Sequence, residues 1–98
     1  MPAASYGAYT EDGYQLDEPS PEAIGVLIAE LNHVDNTFVT FHAAGDDPVW
    51  YALASFRGDD IYEIEYRDVR KNEHRYSRRG DASTVSDEIA QWIAVRDN

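Results

Sequence analysis

The chain contains no cysteine. That excludes a disulfide framework, thiolate chemistry and cysteine-bearing zinc sites, and it fits a reducing compartment. No apolar run approaches the roughly 20 residues that a membrane-spanning helix needs. The start, MPAASYGAYTEDG, lacks a basic region followed by an apolar stretch, so no signal peptide is expected and the expected location is cytoplasmic. His33, His42 and His74 stand far apart, without the spacing of a metal-binding helix, so neither a metal nor a cofactor is expected. The six glycines form no phosphate-cradling loop, and no G-x-S-x-G marks an activated serine.

Positive charge is scarce as well. There are 8 Lys and Arg against 19 Asp and Glu, a net charge of −11. Such a chain repels nucleic acid and anionic lipid and attracts basic partners. The shortage is uneven. Residues 1–66 carry thirteen acids and one base, Arg57, for a net of −12, whereas residues 67–98 carry six acids and seven bases, for +1.

What is present suits a small folded protein. The length of 98 residues implies one domain, 1–98, with apolar content of 43 % ordinary for a globular chain. AYTEDGYQL reads as two short strands about an Asp-Gly turn. SPEAIGVLIAELNHV reads as a helix over 21–33, with Ser20 at the N-cap, Pro21 at N1 and Glu22 in the first turn. Ile24, Leu27, Ile28 and Leu31 fall at i, i+3, i+4 and i+7, which is one apolar face. His33 would sit at the helix end, where a cation suits the dipole. NTFVTFHAA gives a strand from Thr37 to Ala43. VWYALASFRG gives a second, apolar on both faces and therefore central. DDIYEIEYRD and EHRYS supply two more. TVSDEIAQWIAV closes with a helix over 84–95, capped by Thr84, with Val85, Ile89, Trp92 and Ile93 on one face. Short turns between consecutive strands imply antiparallel pairing. Two amphipathic helices need a sheet face to cover. The expected fold is therefore α+β, a two-layer arrangement of a mostly antiparallel sheet of five or six strands and two helices. Leu27, Leu31, Phe41, Leu53, Ile64, Tyr66, Ile89 and Trp92 are the expected core.

The strand DDIYEIEYRD is unusual in laying carboxylates beside aromatics. Alternation puts Tyr62, Ile64 and Tyr66 on one face and Glu63, Glu65 and Arg67 on the other. Glu63 and Glu65 stand about 7 Å apart by strand geometry, close to the spacing of successive phosphates. Nothing marks either as a raised-pKa catalytic acid, and no nucleophile or metal motif accompanies them, so no catalytic residue is assigned and no enzyme is expected. The basic run RDVRKNEHRYSRR reads as a solvated hairpin that partly neutralises the acidic field. The remaining candidate is a docking surface for a basic protein, formed by Asp46, Asp47, Trp50, Tyr51, Asp59, Asp60, Glu63 and Glu65. Acids would steer the partner and aromatics anchor it. Since Trp50 and Tyr51 point to opposite faces, at least one is expected to reach the surface.

IYEIEYRD…EHRY followed by STVSDEIAQWI resembles the first-numbered family of deaminase-associated immunity proteins of bacterial polymorphic toxin systems. The matching pieces are Glu65-Tyr66-Arg67, His74-Arg75-Tyr76 and Ser86 to Ile93. Where the family has a tight glycine turn after the E-Y-R strand, this chain has the longer, glycine-free Asp68-Val69-Arg70-Lys71-Asn72. The resemblance implies an antidote that binds a cognate toxin domain, often a nucleic-acid deaminase, as a heterodimer and blocks its basic groove. A homodimer of the free protein stays open. Composition and spacing alone leave two other readings: an acidic interaction module of a regulatory complex, and a small carboxylate-dependent enzyme.

Overall fold

The computed structural model describes residues 5–97. Residues 1–4 and 98, to which the single-domain and signal-peptide readings also extend, lie outside that range. Eight elements follow one another: β1 (Tyr6–Thr10), β2 (Gln15–Asp17), α1 (Pro21–Ala29), β3 (Phe38–Ala43), β4 (Trp50–Phe56), β5 (Tyr62–Asp68), β6 (Glu73–Arg79) and α2 (Ala82–Asp97). A single 3-10 turn, Val69–Lys71, links β5 to β6. The strands form one six-stranded sheet in the order β2-β1-β3-β4-β5-β6, and each neighbouring pair is antiparallel. The α+β expectation therefore holds, with six strands and both helices on one side. Among the described residues, no helix is long and apolar enough to cross a membrane.

Local chemistry sets the boundaries. Gly13 takes φ 95° in the β1–β2 turn, a left-handed conformation that the Asp-Gly pair anticipates. Ser20 caps α1, its hydroxyl accepting the Ala23 N–H at 3.2 Å. The helix stops at Ala29 rather than reaching His33. Past its end, the Asn32 side chain accepts the backbone N–H groups of Val34, Asp35 and Asn36. That local bonding replaces helical hydrogen bonds. His33 therefore lies in a loop, its ring 6.4 Å from that of Phe56, not on a helix end. The glycine-free β5–β6 turn closes because Asn72 adopts φ 52° and the Asp68 side chain accepts the Arg70 N–H. The α2 cap is Asp81, not Thr84. Asp81 Oδ1 accepts the Thr84 N–H at 2.7 Å, which places Thr84 at N3.

The core lies between the helices and one face of the sheet. Val39, Phe41, Ala52, Ala54, Ile64 and Tyr66 present that face, and Ile24, Leu27, Ile28, Val85, Ile89 and Trp92 cover it. Large and small residues interdigitate. Ala52 stands between Phe41 and Tyr66, and Ala54 between Val39 and Ile64, in directly opposed pairs. Seven of the eight expected core residues are buried; Leu53 is the exception. It faces the other side of the sheet with Tyr51, so it belongs to the surface described next.

One charged group is also inside. Asp68 is fully buried at the end of β5. Arg96 of α2, only 5 % exposed at its side chain, reaches it at 3.0 Å and also bonds Glu73. The Arg96 guanidinium lies 3.5 Å from the Trp92 ring centroid, and its Nη1 donates to the Trp92 carbonyl. This cluster pins the last turn of α2 to the β5–β6 end of the sheet.

Candidate functional site

Neither helix covers the second face of the sheet. Antiparallel pairing puts directly opposed residues on the same side. Across the strands that side carries Tyr9, Thr40, His42, Tyr51, Leu53, Glu63, Glu65, Arg67, His74, Tyr76 and Arg78. Tyr76 is 71 % exposed and Tyr9 41 % exposed. A shallow depression of about 370 Å³ interrupts this face. Tyr9, His42, Tyr51 and Leu53 line it, and Asp46 and Glu65 contribute carboxylates. Thr40 also lines it, and its buried Oγ1 has no hydrogen-bond partner among the described residues.

The carboxylates of β5 are held by their neighbours. Glu63 takes Arg57 at 3.0 Å and Arg78 at 3.1 Å. Glu65 Oε2 accepts the Tyr51 hydroxyl at 2.9 Å and bonds His74 Nε2 at 2.7 Å. On the far side of the same ring, Arg67 lies 3.2 Å from His74 Nδ1. An arginine has only donors, so Nδ1 accepts and the proton sits on Nε2, facing Glu65. Burial pushes the Glu65 carboxyl up, but hydrogen bonds from His74 and Tyr51 outweigh it and leave the group below its ordinary value. Tyr51 moves the other way: burial, then the bond to Glu65, raises its phenol. A carboxyl held ionised is poorly suited to donate a proton near neutral pH. The arrangement instead makes a stiff, pre-ordered polar face.

The two short motifs that carry the family resemblance meet on this hairpin. Glu65, Tyr66 and Arg67 pair residue for residue with Tyr76, Arg75 and His74. Their alternate members turn inward, where Arg75 covers the Tyr66 ring at 4.3 Å and Tyr66 packs 5.0 Å from Trp92 of the third matching piece.

The structure divides the expected docking residues into four groups. Asp46, Tyr51 and Glu65 come together around the depression, and Glu63 shares their face. Asp47 is exposed in the adjoining β3–β4 turn. Asp59 and Asp60 lie at the opposite end of β4, in a turn where Gly58, Asp59 and Asp60 all have positive φ. Trp50 is removed from the surface altogether: it is 3 % exposed and packs edge-on against Trp92, 5.6 Å between centroids. Glu63 and Glu65 stand on the expected face, but Glu63 is already paired to Arg57 and Arg78, and Glu65 already accepts hydrogen bonds from Tyr51 and His74. Asp46, Asp47, Asp59 and Asp60 make no ion pair among the described residues. Tyr9, His42, His74 and Tyr76 were not anticipated. Strand alternation places each on some face, but only the pairing register brings them to this one.

The basic run behaves as expected, with Arg70, Arg75, Arg78 and Arg79 all paired to carboxylates. Among the described residues no three His, Asp or Glu side chains converge on a possible metal position. No protein-family model matches the chain, and neither a curated protein nor a solved structure matches it.

Proposed function

We propose that this chain is an immunity protein that binds a basic toxin domain, a nucleic-acid deaminase by the resemblance, and blocks its substrate groove. One observation carries the reading. A whole sheet face is left uncovered by the helices, and it gathers exposed tyrosines around a depression edged by acids. Tyrosine supplies large contact area at small entropic cost, which suits an anchor. The anchors are Tyr9, Tyr51 and Tyr76 rather than Trp50. The steering charge comes from acids without internal ion pairs, first Asp46 and Asp47, because Glu63 is already paired to Arg57 and Arg78 and Glu65 is held by hydrogen bonds from Tyr51 and His74. A toxin that grips nucleic acid needs a basic groove, and an acidic face can fill it in place of phosphate.

The test is co-expression with the toxin encoded by the neighbouring gene. Wild type protects the cells, Tyr51→Ala with Tyr76→Ala protects poorly while remaining folded, and neither free protein shows activity on nucleic acid. Equal killing with and without this protein rejects the immunity reading. Binding to a basic protein that is no toxin would favour an acidic interaction module instead.

A further inference from the structure

A second concavity lies on the other side of the sheet. It is a groove of about 640 Å³ between the β1–β2 hairpin and α1, where the nine-residue helix does not reach far enough to cover the hairpin. Leu16, Val26 and Leu27 give it apolar walls, and Asp12, Glu30 and Asp35 stand around it. None of these three acids has an ion pair among the described residues. Arg57, the one base in residues 1–66, is committed to Glu63. Among the described residues, no Lys, Arg or His lines this groove.

A buried polar group gives the independent sign of a ligand. Asn36 lines the groove and is 8 % exposed. Its Nδ2 donates to the Glu30 carbonyl at 3.2 Å, which fixes the amide's orientation. Its Oδ1 is then buried without a partner. Donors nearby are spoken for, because the N–H groups of Val34, Asp35 and Asn36 all point to Asn32 Oδ1. An unmatched buried acceptor costs about 1–3 kcal/mol. It asks for an N–H or O–H donor from outside, and the surrounding acids ask for positive charge.

Those two demands narrow the occupant. The acids do not converge tightly enough to hold a metal ion. A cation carrying its own N–H groups on an apolar stem satisfies both demands. Arginine fits better than lysine, since its guanidinium offers five donors and is the more weakly hydrated. We infer that this groove receives an arginine side chain of a partner protein. The stem lies along Leu16, Val26 and Leu27, and the guanidinium bonds Asn36 Oδ1 and the carboxylates of Glu30 and Asp35. Glu30 and Asp35 are both exposed at the groove. The groove faces away from the tyrosine-bearing side of the sheet, so this contact does not depend on the immunity reading and can form alongside it.

The experiment is an NMR titration of the full chain with N-acetyl-arginine amide, against the neutral isostere N-acetyl-citrulline amide. The expected result is saturable shifts at the Asn36 side-chain amide and the Val26 and Leu27 methyls. Citrulline should bind at least fivefold more weakly. Glu30→Gln with Asp35→Asn, both surface changes, should weaken arginine binding at least fivefold with an unchanged melting temperature. Equal binding of citrulline, unsaturable shifts spread over every acidic surface, or an undiminished response in the double variant would each overturn the assignment.

Discussion

At the scale of single residues, Asp68 is the group on which most depends. It is a buried carboxylate, and burial alone would raise its pKa. Hydrogen bonds from the Arg70 side chain and backbone, with the charges of Arg70 and Arg96, more than reverse this and hold it below the ordinary carboxylate value. A depressed folded-state pKa gives stability that is fully present above the unfolded value, about 3.9, and is lost as pH falls through the folded value. Glu73 is lowered too: burial pushes it up, and bonds from Arg75 and Trp92 outweigh that. Stability should therefore be nearly flat from neutral pH down to about 5 and should fall on further acidification. Asp68→Asn should cost about 3–5 kcal/mol at pH 7, because Arg96 is left inside with only part of its compensation. The same variant should show a shallower acid limb in urea titrations between pH 6 and 3. An acid limb as steep as wild type would mean that other carboxylates dominate. None of this was legible in the sequence. Asp68 falls on the inward face of an alternating strand, where a carboxylate reads as a strand end. Its partner Arg96 is 28 positions away.

At the scale of elements, the sequence spoke clearly where a period had a hydrophobic face to mark. The Ile24-Leu27-Ile28 and Val85-Ile89-Trp92 spacings identify both helices, and alternation sorts β5 correctly into Tyr62-Ile64-Tyr66 and Glu63-Glu65-Arg67. It was ambiguous in β4, whose two faces are nearly equally apolar. The choice between Trp50 and Tyr51 is made by neighbours: Ala52 and Ala54 fit between the bulky residues of β3 and β5, so Trp50 turns inward with them. Ser20 and Pro21 open α1 as read, but the end of α1 and the cap of α2 were misread, since a capping residue is chosen by geometry among several candidates. Ser20→Ala should cost about 1 kcal/mol, since its hydroxyl serves one of the orphan N–H groups of α1. For α2, Asp81→Ala should lower the melting temperature more than Thr84→Val does. Asp81 takes both the Thr84 N–H and its hydroxyl, and these bonds lower its pKa. The opposite ranking in a thermal melt would restore Thr84 as the cap.

At the scale of the whole molecule, the charge asymmetry of the sequence becomes an asymmetry in space. Every ion pair among the described residues uses an acid from Glu63 onward, so the charge of α1, the β1–β2 hairpin and the two acidic turns is left unmatched. The Asp46-Asp47 and Asp59-Asp60 turns sit at opposite ends of seven-residue β4, roughly 20 Å apart at 3.3 Å per residue. That separation exceeds the Debye length of about 8 Å at physiological salt but not the roughly 30 Å at 0.01 M. If a basic toxin domain docks over the depression, Asp46→Asn with Asp47→Asn should slow association severalfold at both salt concentrations, because that turn adjoins the contact. Asp59→Gly with Asp60→Gly also removes two exposed acids, and it relieves two positive-φ positions, so slower binding there could not be put down to a strained turn. This second variant should slow association at 0.01 M and have little effect near 0.15 M. Tyr51→Ala should act mainly on dissociation, as an anchor would. Trp50→Ala, by contrast, should cost about 3–5 kcal/mol of stability, so lost binding in that variant would reflect unfolding rather than a missing contact. Stopped-flow association at the two salt concentrations separates these cases. If the Asp59-Asp60 variant is the slower one at 0.15 M, the partner docks at the other end of the sheet, over the β4–β5 turn, and the depression beside Asp46 is not the contact.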